Sequence, residues 1–464
     1  MLNSWRAMTL WKRVFIGLGL GVAVGLVLHY LFGGNLGLIM AKEQGVDIID
    51  LCKDIETSCK VPLGTQLAQE WFQPFGKAFV NLIKMLVVPL IATTLVSGVI
   101  AMGDPKRLGS LGVRTIGLYM ATTFFAVWLG LAVGTIFQPG AGMGDLISGG
   151  SASVDTVTDK LANAGAAKKG IADYLLAIIP TNPIKALANG DVLSIILFSI
   201  LVGVGILLTG DKGKPLGDFF DSASEVVMKI TMMIMDLAPY GVFALMAWVM
   251  GVHGLGILSS MGKLAIALYL ACFLQIIFVY GGMIIKGILK LPLARFFYGI
   301  ADAVGVAYST ASSNATLPVT ISCAEHNLGV EKSVAGSVLP MGATINMDGT
   351  AIYLGIVALF AAQAIGIELS FMQYIMIALM ATLTSIGAAG IPSAGLLLAA
   401  GVLTQIGVSA EQSTLIIAFI YPFDRLLDMM RTATNVTGDV AVACTVAKWE
   451  GELDEEVFKT KSVV

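Results

Sequence analysis

Apolar residues fall along this chain in long runs rather than in short alternating stretches. A helix needs about 20 apolar residues to cross the roughly 30 Å hydrocarbon core of a bilayer. Runs of that length predict eight transmembrane helices, at about 12–33, 76–102, 111–138, 171–209, 217–250, 258–289, 333–364 and 412–446. Gly17, Gly21 and Gly25 recur every four residues in the first run, which predicts a face for close helix packing.

Two further stretches, about 294–326 and 369–407, are apolar but interrupted by glycine, proline and small polar residues. We expect each to form a re-entrant hairpin, because non-helical backbone is tolerated at membrane depth only inside protein or beside a wet cavity. Each stretch precedes a helix with polar residues. Such paired interruptions indicate the binding site of a transporter built from inverted repeats.

Basic residues orient the predicted helices. If each helix crosses the membrane once, four groups of basic residues fall on the same side. They are Arg6, Lys12 and Arg13; Lys106, Arg107 and Arg114; Lys212 and Lys214; and Lys286, Lys290 and Arg295. The positive-inside rule then predicts cytoplasmic N- and C-termini. No small-residue cleavage site ends the first run, so we expect it to be a transmembrane helix rather than a removable signal peptide.

Composition excludes a water-soluble protein. Of 464 residues, 56% are hydrophobic and 13% are charged, and the mean hydropathy is +0.85. Soluble domains carry about 25% charged residues, so lipid is expected around most of this chain. The net charge of −3 and the lack of a basic run exclude nucleic acid as a partner. Cys52 and Cys59 lie in a polar loop and either form a disulfide or remain free thiols.

The last predicted helix carries polar residues at steps of three and four, so they share one face. They are Asp428, Arg431, Asn435 and Asp439, with Asp424 and Thr432 nearby. Each charge facing lipid would cost roughly 2.5–3.5 kcal/mol, so this face is expected to line an internal site. Arg431 suits a carboxylate and Asp428 an ammonium group. Asp439 and Asn435 offer the oxygen ligands that a hard cation prefers. A salt-bridge network that only locks helices is the alternative.

Three more motifs extend this prediction. The run Asn346 to Thr350 repeats the polar theme, and Gly349 within it is expected to weaken the helix by about 1 kcal/mol and free carbonyls for an ion. The serine-rich run from 312 to 316 offers hydroxyls and backbone amides that favour an anion. The run 387–395 has little side-chain bulk, which is typical of a mobile lid.

Weaker patterns permit more than one interpretation. Tyr119, Thr122 and Thr123 share one side of the third predicted helix, and they either reach the ion region or bond back to their own helix. The sequence has no zinc-protease, nucleophile-elbow or P-loop motif, which argues against a membrane enzyme. The polar pathway could also leak anions as a channel does, or belong to a purely structural membrane protein.

At these motifs the chain resembles a bacterial member of the dicarboxylate/amino acid:cation symporter family, the bacterial and animal glutamate and aspartate transporters. The segment pattern matches over essentially the whole chain. The most specific motifs are the serine-rich run before Thr316-Leu317-Pro318, Asn346-Met347-Asp348-Gly349-Thr350, Gly390-Ile391-Pro392-Ser393-Ala394-Gly395, and the Asp428, Arg431, Thr432, Asn435 and Asp439 series.

The resemblance implies an all-α homotrimer in the bacterial inner membrane, surrounded by lipid, in which part of each subunit moves like an elevator. It implies that 1–110 and 139–250 form a fixed scaffold, with the trimer contacts in 139–250. It assigns 111–138 and 251–446 to a mobile transport unit, and 447–464 to a cytoplasmic tail.

The resemblance also implies an L-aspartate or L-glutamate substrate, co-transported sodium ions and no organic cofactor. The implied substrate residues are Ser313, Thr350, Ile391, Gly395, Asp428, Arg431, Thr432 and Asn435. One implied sodium position uses Gly342, Asn346, Asn435 and Asp439. A second uses Thr344, Ser385, Ile386 and Ala388. A third uses Tyr119, Thr122, Thr123, Asn346 and Asp348.

The chain departs from the family pattern in two ways. Many members carry a second arginine where this chain has Ala311 or Met429, and Arg425 is a candidate replacement whose direction the sequence does not fix. Proton-coupled animal members carry a glutamate where this chain has Leu354, which favours sodium coupling. Arg431 favours acidic over neutral substrates. Proton coupling and C4-dicarboxylate substrates remain open.

Overall fold

The computed structural model describes residues 8, 10–32, 63–101, 105–143, 179–190, 192–386, 388, 390 and 393–460. Their secondary structure is helical, apart from an isolated bridge between Val330 and Leu453, so the predicted all-α class is confirmed. In chain order the helices are α1 (Leu10–Leu31), α2 (Leu63–Leu67), α3 (Gln73–Ala101), α4 (Pro105–Phe137), α5 (Pro183–Asn189), α6 (Val192–Thr209), α7 (Lys214–Met235), α8 (Ala238–His253), α9 (Gly256–Leu274), α10 (Leu293–Gly299), α11 (Ala301–Thr310), α12 (Ser313–Ser322), α13 (Lys332–Ile345), α14 (Asp348–Ile365), α15 (Phe371–Ile386), α16 (Ala394–Gln405), α17 (Ala410–Glu450) and α18 (Glu455–Lys459). A π-helix, Gln275–Ile288, continues α9.

Several helical runs are long and apolar enough to cross a membrane. In the described part of the chain they are Lys12–Leu31, Gly112–Phe137, Ser194–Met235, Leu258–Ile288 and Lys332–Ile365. The predicted segments at 76–102 and 412–446 also form helices, α3 and α17. The charged residues of α17 lower its hydropathy, which is why length and composition alone do not mark it as a span.

Two predicted segments, 171–209 and 217–250, are not single helices in the structure. Gly190 ends α5 with a φ of +73°, a left-handed conformation that suits glycine. Beyond it α6 begins at Val192. The second segment breaks between α7 and α8, where Pro239 lies in the first turn of α8. Proline cannot donate a backbone hydrogen bond and disfavours helix in the residue before it. The sequence carries a signal at each break, Asn189 and Gly190 at the first and Asp236 and Pro239 at the second, within runs that are apolar overall.

The glycine face predicted on α1 is confirmed by its contact with α8. A Cβ added at Gly21 would lie 2.8 Å from the Cβ of Met246, and one at Gly25 would lie 2.9 Å from the carbonyl oxygen of Ala247. Larger side chains would therefore force the two helices apart, so these glycines set the spacing of the pair.

Each interrupted stretch contains a pair of helices that follow closely in the chain, α11 and α12 in the first, after α10, and α15 and α16 in the second. In the first, α11 and α12 meet at Ala311, which is buried and has a φ of +52°. In the second, the connection between α15 and α16 includes Gly390 and Ser393, and Ser393 has a φ of +64°. We call these two connections the first and second hairpin tips. The re-entrant course of the two hairpins in a membrane stays a prediction.

The helix predicted at 333–364 is divided into α13 and α14, with the break at Asn346 and Met347. The expected unwound point is present, but Gly349 does not lie in it. Gly349 lies in the first turn of α14, where an added Cβ would stand 2.7 Å from the Cα of Arg431. The glycine therefore allows α14 and α17 to cross closely, and its expected weakening of the helix stays a prediction.

Residues predicted as a cytoplasmic tail fold back on the protein as far as Thr460. The backbone N–H of Asp454 donates to the carbonyl of Gly329 at 2.8 Å, and that of Glu331 donates to the carbonyl of Glu452 at 3.0 Å. Phe458 is fully buried beneath this junction. The end of α17 is thereby joined to the connection between the first hairpin and α13.

Candidate substrate and cation sites

Arg431 is the largest fully buried side chain among the described residues. Its Nη2 pairs with Asp424 Oδ1 at 2.9 Å and with Asp428 Oδ1 at 2.8 Å. The guanidinium also lies over the ring of Tyr353, 4.0 Å from its centroid. A buried charge is tolerated only with such compensation. Nε and Nη1 have no hydrogen-bond partner among the described residues, so the guanidinium retains donors for a further anion.

The second hairpin tip is held against this arginine. The backbone N–H of Ser393 donates to Asp428 Oδ2 at 2.7 Å. A Cβ on Gly395 would collide with Arg431 Nη1 and approach Thr350 Cγ2 at 3.0 Å. The glycine therefore lets the start of α16 lie directly on the guanidinium, and the expected neighbours Gly395, Thr350 and Arg431 are brought together.

The first hairpin tip meets the second at Gly390. Ser312 donates from its hydroxyl to the Gly390 carbonyl at 2.6 Å, and the same oxygen accepts the backbone N–H of Asn314 at 3.2 Å. Ser312 also caps α12 by accepting from the N–H of Ala315 at 3.2 Å. Ser313, predicted to bind substrate, is buried at the first position of α12.

Asn435 and Thr432 lie on the buried face of α17. Asn435 accepts the backbone N–H of Gly349 at 2.7 Å and donates to the sulfur of Met347 at 3.1 Å. It therefore ties α17 to the break between α13 and α14. Ile391, another predicted substrate residue, lies outside the described residues.

A separate cluster of oxygen atoms surrounds Asp348. Thr123 donates to Asp348 Oδ1 at 2.6 Å, and Tyr280 and Gln275 donate to Oδ2 at 2.5 Å and 3.2 Å. Thr122 donates to Asn346 Oδ1 at 3.3 Å. Thr122 and Thr123 thus reach the predicted region rather than only their own helix.

Asp439 lies in a neighbouring position. Its Oδ1 accepts from Asn346 Nδ2 at 2.9 Å, and a Cβ on Gly342 would lie 2.5 Å from that oxygen and 2.6 Å from the Tyr119 hydroxyl. Tyr119 donates to the carbonyl of Val338 at 2.9 Å rather than to Asn346 or Asp348. Gly342, Asn346 and Asp439 therefore lie together, with Tyr119 beside them.

The charges of these two carboxylates are not balanced by protein. In the described part of the chain, no lysine or arginine forms an ion pair with Asp348 or Asp439. A buried carboxylate needs a partner charge or a proton. Hydroxyl, amide and carboxylate oxygens are the ligands of a hard cation. By contrast, no group of three or more His, Cys, Asp or Glu side chains placed to hold a metal ion occurs among the described residues.

The residues of the predicted second sodium position form only local hydrogen bonds in the described structure. Thr344 donates to the carbonyl of Met341 at 3.0 Å, and Ser385 donates to that of Thr382 at 2.8 Å. Ile386 is the last residue of α15, and the N–H of Ala388 donates to the Ser385 carbonyl at 3.0 Å. No hydrogen bond among the described residues joins Thr344 to these three.

Comparison with known proteins gives the family. The profile of the Sodium:dicarboxylate symporter family matches residues 10–449. The chain belongs to this family. It is 34% identical over 443 residues to the proton/sodium-glutamate symport protein of Bacillus subtilis, covering 95% of this chain and 94% of that one.

Two further relatives are named for additional or other substrates. The proton/glutamate-aspartate symporter of Escherichia coli K12 is 36% identical over 384 residues, covering 82% of this chain and 86% of the relative. A C4-dicarboxylate transport protein of Polaromonas naphthalenivorans is 36% identical over 392 residues, covering 84% of each. The family consists of transporters that move a solute with an ion, which decides against a membrane enzyme.

Sequence reasoning missed two hydrogen-bond donors of the Asp348 cluster. Gln275 and Tyr280 are both fully buried, and both side chains point to Asp348. They lie in the π-helical part of the α9 segment, and such wide turns are frequent at functional sites. The available signal was a lone glutamine within the long apolar run 264–285.

Proposed function

We propose that this symporter imports the acidic amino acids L-aspartate and L-glutamate together with sodium, by an elevator type of alternating access. The observation that carries this proposal is a fully buried arginine against which the second hairpin lies, with the first hairpin tip bonded to the second at Gly390. Among the described residues two nitrogens of Arg431 have no partner, Gly395 of the second hairpin lies against its guanidinium, and Ser312 and Ser313 are buried at the first hairpin tip.

The charges of the site fit such a substrate. The guanidinium of Arg431 is suited to the side-chain carboxylate, because its planar donors match two carboxylate oxygens. Asp428 would receive the α-ammonium group, and Thr350, Thr432 and Asn435 would complete the hydrogen bonds. The α-carboxylate would lie at the N-terminus of α12 and the second hairpin tip, where backbone N–H groups favour an anion.

Sodium would bind at the uncompensated carboxylates. Asp348 with Thr122, Thr123 and Asn346 forms one proposed position, and Asp439 with Gly342, Asn346 and Asn435 forms another. Each ion would cancel negative charge that the described protein atoms leave unbalanced, and this links cation occupancy to the stability of the neighbouring substrate site. Thr344, Ser385, Ile386 and Ala388 form a further proposed position at the base of the second hairpin.

The proposed architecture has eight membrane-spanning segments and two re-entrant hairpins in a homotrimer of the bacterial inner membrane, with cytoplasmic termini. Residues 1–110 and 139–250 would form the scaffold and subunit contacts. Residues 111–138 and 251–446 would form the moving unit. The polar interior supports this division, because the substrate and cation residues all lie in the second group.

Uptake into proteoliposomes tests the proposal. We expect labelled L-aspartate or L-glutamate to accumulate with an inward sodium gradient and not with a proton gradient alone. Arg431→Ala and Asp439→Ala are expected to abolish uptake. Arg114→Ala is the matched control, because this arginine pairs with Glu450 away from the site, at 2.8 Å. Equal uptake by the Arg431→Ala protein would overturn the assignment.

C4-dicarboxylate transport is the second candidate, since a transporter of that name is as similar to the chain as the glutamate symporters. Succinate uptake with no aspartate or glutamate uptake would select it. Uptake driven by protons alone would retain the substrate and replace sodium as the coupling ion.

A further inference from the structure

Arg425 lies on α17, one turn before Asp428, and its side chain extends to the first hairpin. Its Nη2 donates to the carbonyl oxygens of Thr310 at 2.9 Å and Ser309 at 3.4 Å. These residues end α11, where backbone carbonyls have no partner within the helix. A positive charge is favourable at that end of a helix. The guanidinium therefore caps α11 from a different part of the chain.

The capped carbonyls directly precede the first hairpin tip. Ala311, the next residue, is buried in a left-handed conformation that a residue with a side chain rarely adopts. Ser312 follows and donates to Gly390 of the second hairpin at 2.6 Å. Movement of the α11 end would therefore move the group on which the second hairpin tip rests.

The contacts form a closed ring. Arg425 holds the end of α11, Ser312 holds Gly390, and Ser393 returns to α17 through its hydrogen bond to Asp428. Arg425 and Asp428, where the ring of contacts begins and ends, lie about one turn apart on α17. A ring anchored twice on the same helix fixes the second hairpin tip relative to Arg431.

Arg425 lies between the second hairpin tip and two helices outside the hairpins. With Tyr421 and Ser393 it lines a small cavity that is closed on the other side by Val14 and Met235 of α1 and α7. Asp424 and Asp428, its neighbours on α17, carry side chains of opposite charge. Arg425 thus lies where the two proposed units of the protein meet, beside the hairpin that would cover the substrate.

We propose that Arg425 is a positioning residue that anchors the first hairpin tip, and through it holds the second hairpin closed over the substrate site. This inference rests on the proposed transport of an acidic amino acid. Many members of the family carry an arginine at the position of Ala311 or Met429. In this chain, Arg425 on α17 would connect the hairpins instead.

Uptake kinetics of Arg425→Ala and Arg425→Lys test this role. Loss of one charge-assisted hydrogen bond is expected to raise KM for L-aspartate about tenfold in Arg425→Ala, with a smaller change in Vmax. Arg425→Lys keeps the charge and one donor, so its KM should rise only about threefold. Arg295→Ala is the matched control, because that half-buried arginine also donates to a backbone carbonyl, that of Phe458 at 3.4 Å, far along the chain from the site. Its KM should not change.

Hydrogen exchange separates this inference from the proposed function. In the substrate-free protein, amides 309–316 should exchange faster in Arg425→Ala than in wild type or Arg295→Ala, whatever the substrate is. Faster exchange with an unchanged KM would reduce Arg425 to a helix cap and overturn the proposal, as would unchanged exchange. If Arg425→Ala does not fold, an unchanged KM and unchanged exchange in Arg425→Lys would overturn it. Absence of aspartate and glutamate uptake by wild type would instead contradict the proposed function, and the exchange result would still decide the anchor.

Discussion

The hydroxyl of Tyr280 donates to the carboxylate of Asp348 over 2.5 Å, joining the π-helical continuation of α9 to the first turn of α14. Gln275 and Thr123 also donate to this carboxylate. These donors orient the carboxylate without neutralising it, because each of them is uncharged. Buried without a cationic side chain among the described residues, this carboxylate needs either a bound cation or a proton.

We expect Tyr280→Phe to weaken the response to sodium. The ring is retained and one donor to a charged group is lost, a change worth roughly 1.5–3 kcal/mol. The sodium concentration that gives half-maximal uptake should therefore rise at least tenfold. Tyr374→Phe is the control, since the Tyr374 hydroxyl lies 3.2 Å from Thr135 at an exposed position. An equal sodium response in both variants would argue against a cation at Asp348.

Gly349→Ala should separate α14 from α17. The new methyl group would stand 2.7 Å from the Cα of Arg431, a backbone atom that cannot rotate away. Such overpacking costs about 1–3 kcal/mol, so the midpoint of thermal unfolding in detergent should fall and uptake should be lost. Gly336→Ala in α13 meets nothing within 4 Å and should leave the midpoint unchanged or higher. Equal midpoints for the two variants would contradict the close crossing.

Glu455 of α18 forms ion pairs with Lys448 at the end of α17 and with Lys459. We call these two ion pairs the C-terminal contact, and we expect it to respond to salt and to loss of the Glu455 charge. Hydrogen bonds from Lys448 and Lys459 lower the pKa of Glu455 from 4.5 to about 2. Because the pKa is depressed in the folded protein, the stabilisation is complete above pH 4.5 and is lost as the pH falls toward 2. The contact is largely exposed, so 1 M salt should weaken it.

Hydrogen exchange of amides 452–460 measures this contact at pH 7. Glu455→Gln should speed exchange and remove its dependence on salt. Glu456→Gln is the control, because no ion pair of Glu456 is seen among the described residues. Salt-independent exchange in wild type would show that Phe458 burial and the backbone hydrogen bonds hold the segment without the ion pairs.

Part of this site can be predicted from the sequence. Arg431, Asp428 and Asp439 stand out because charged residues at helical spacing inside an apolar segment must face an interior. The all-α class follows from the apolar runs in the same way. Thr122 and Thr123 share a helix face, but their reach to Asn346 and Asp348 depends on how α4 packs on α14.

Several features depend on packing between distant segments. The direction of Arg425 is set by the end of α11, 115 residues away from it in the chain at Thr310. The role of Gly349 is visible only once α17 crosses it. The segments divide at Gly190 and Pro239, and glycine and proline are the residues expected at such breaks.

The proposed mechanism depends above all on Arg431, which would bind the side-chain carboxylate of an acidic amino acid in a sodium-dependent site. Calorimetric titration of the purified protein with L-aspartate, in sodium and in choline, tests this assignment. We predict binding in sodium that weakens at least about 100-fold in choline and in Arg431→Ala, as expected when one partner of a buried charge pair is removed. Equal affinity of wild type and Arg431→Ala in sodium would show that the arginine does not bind the substrate.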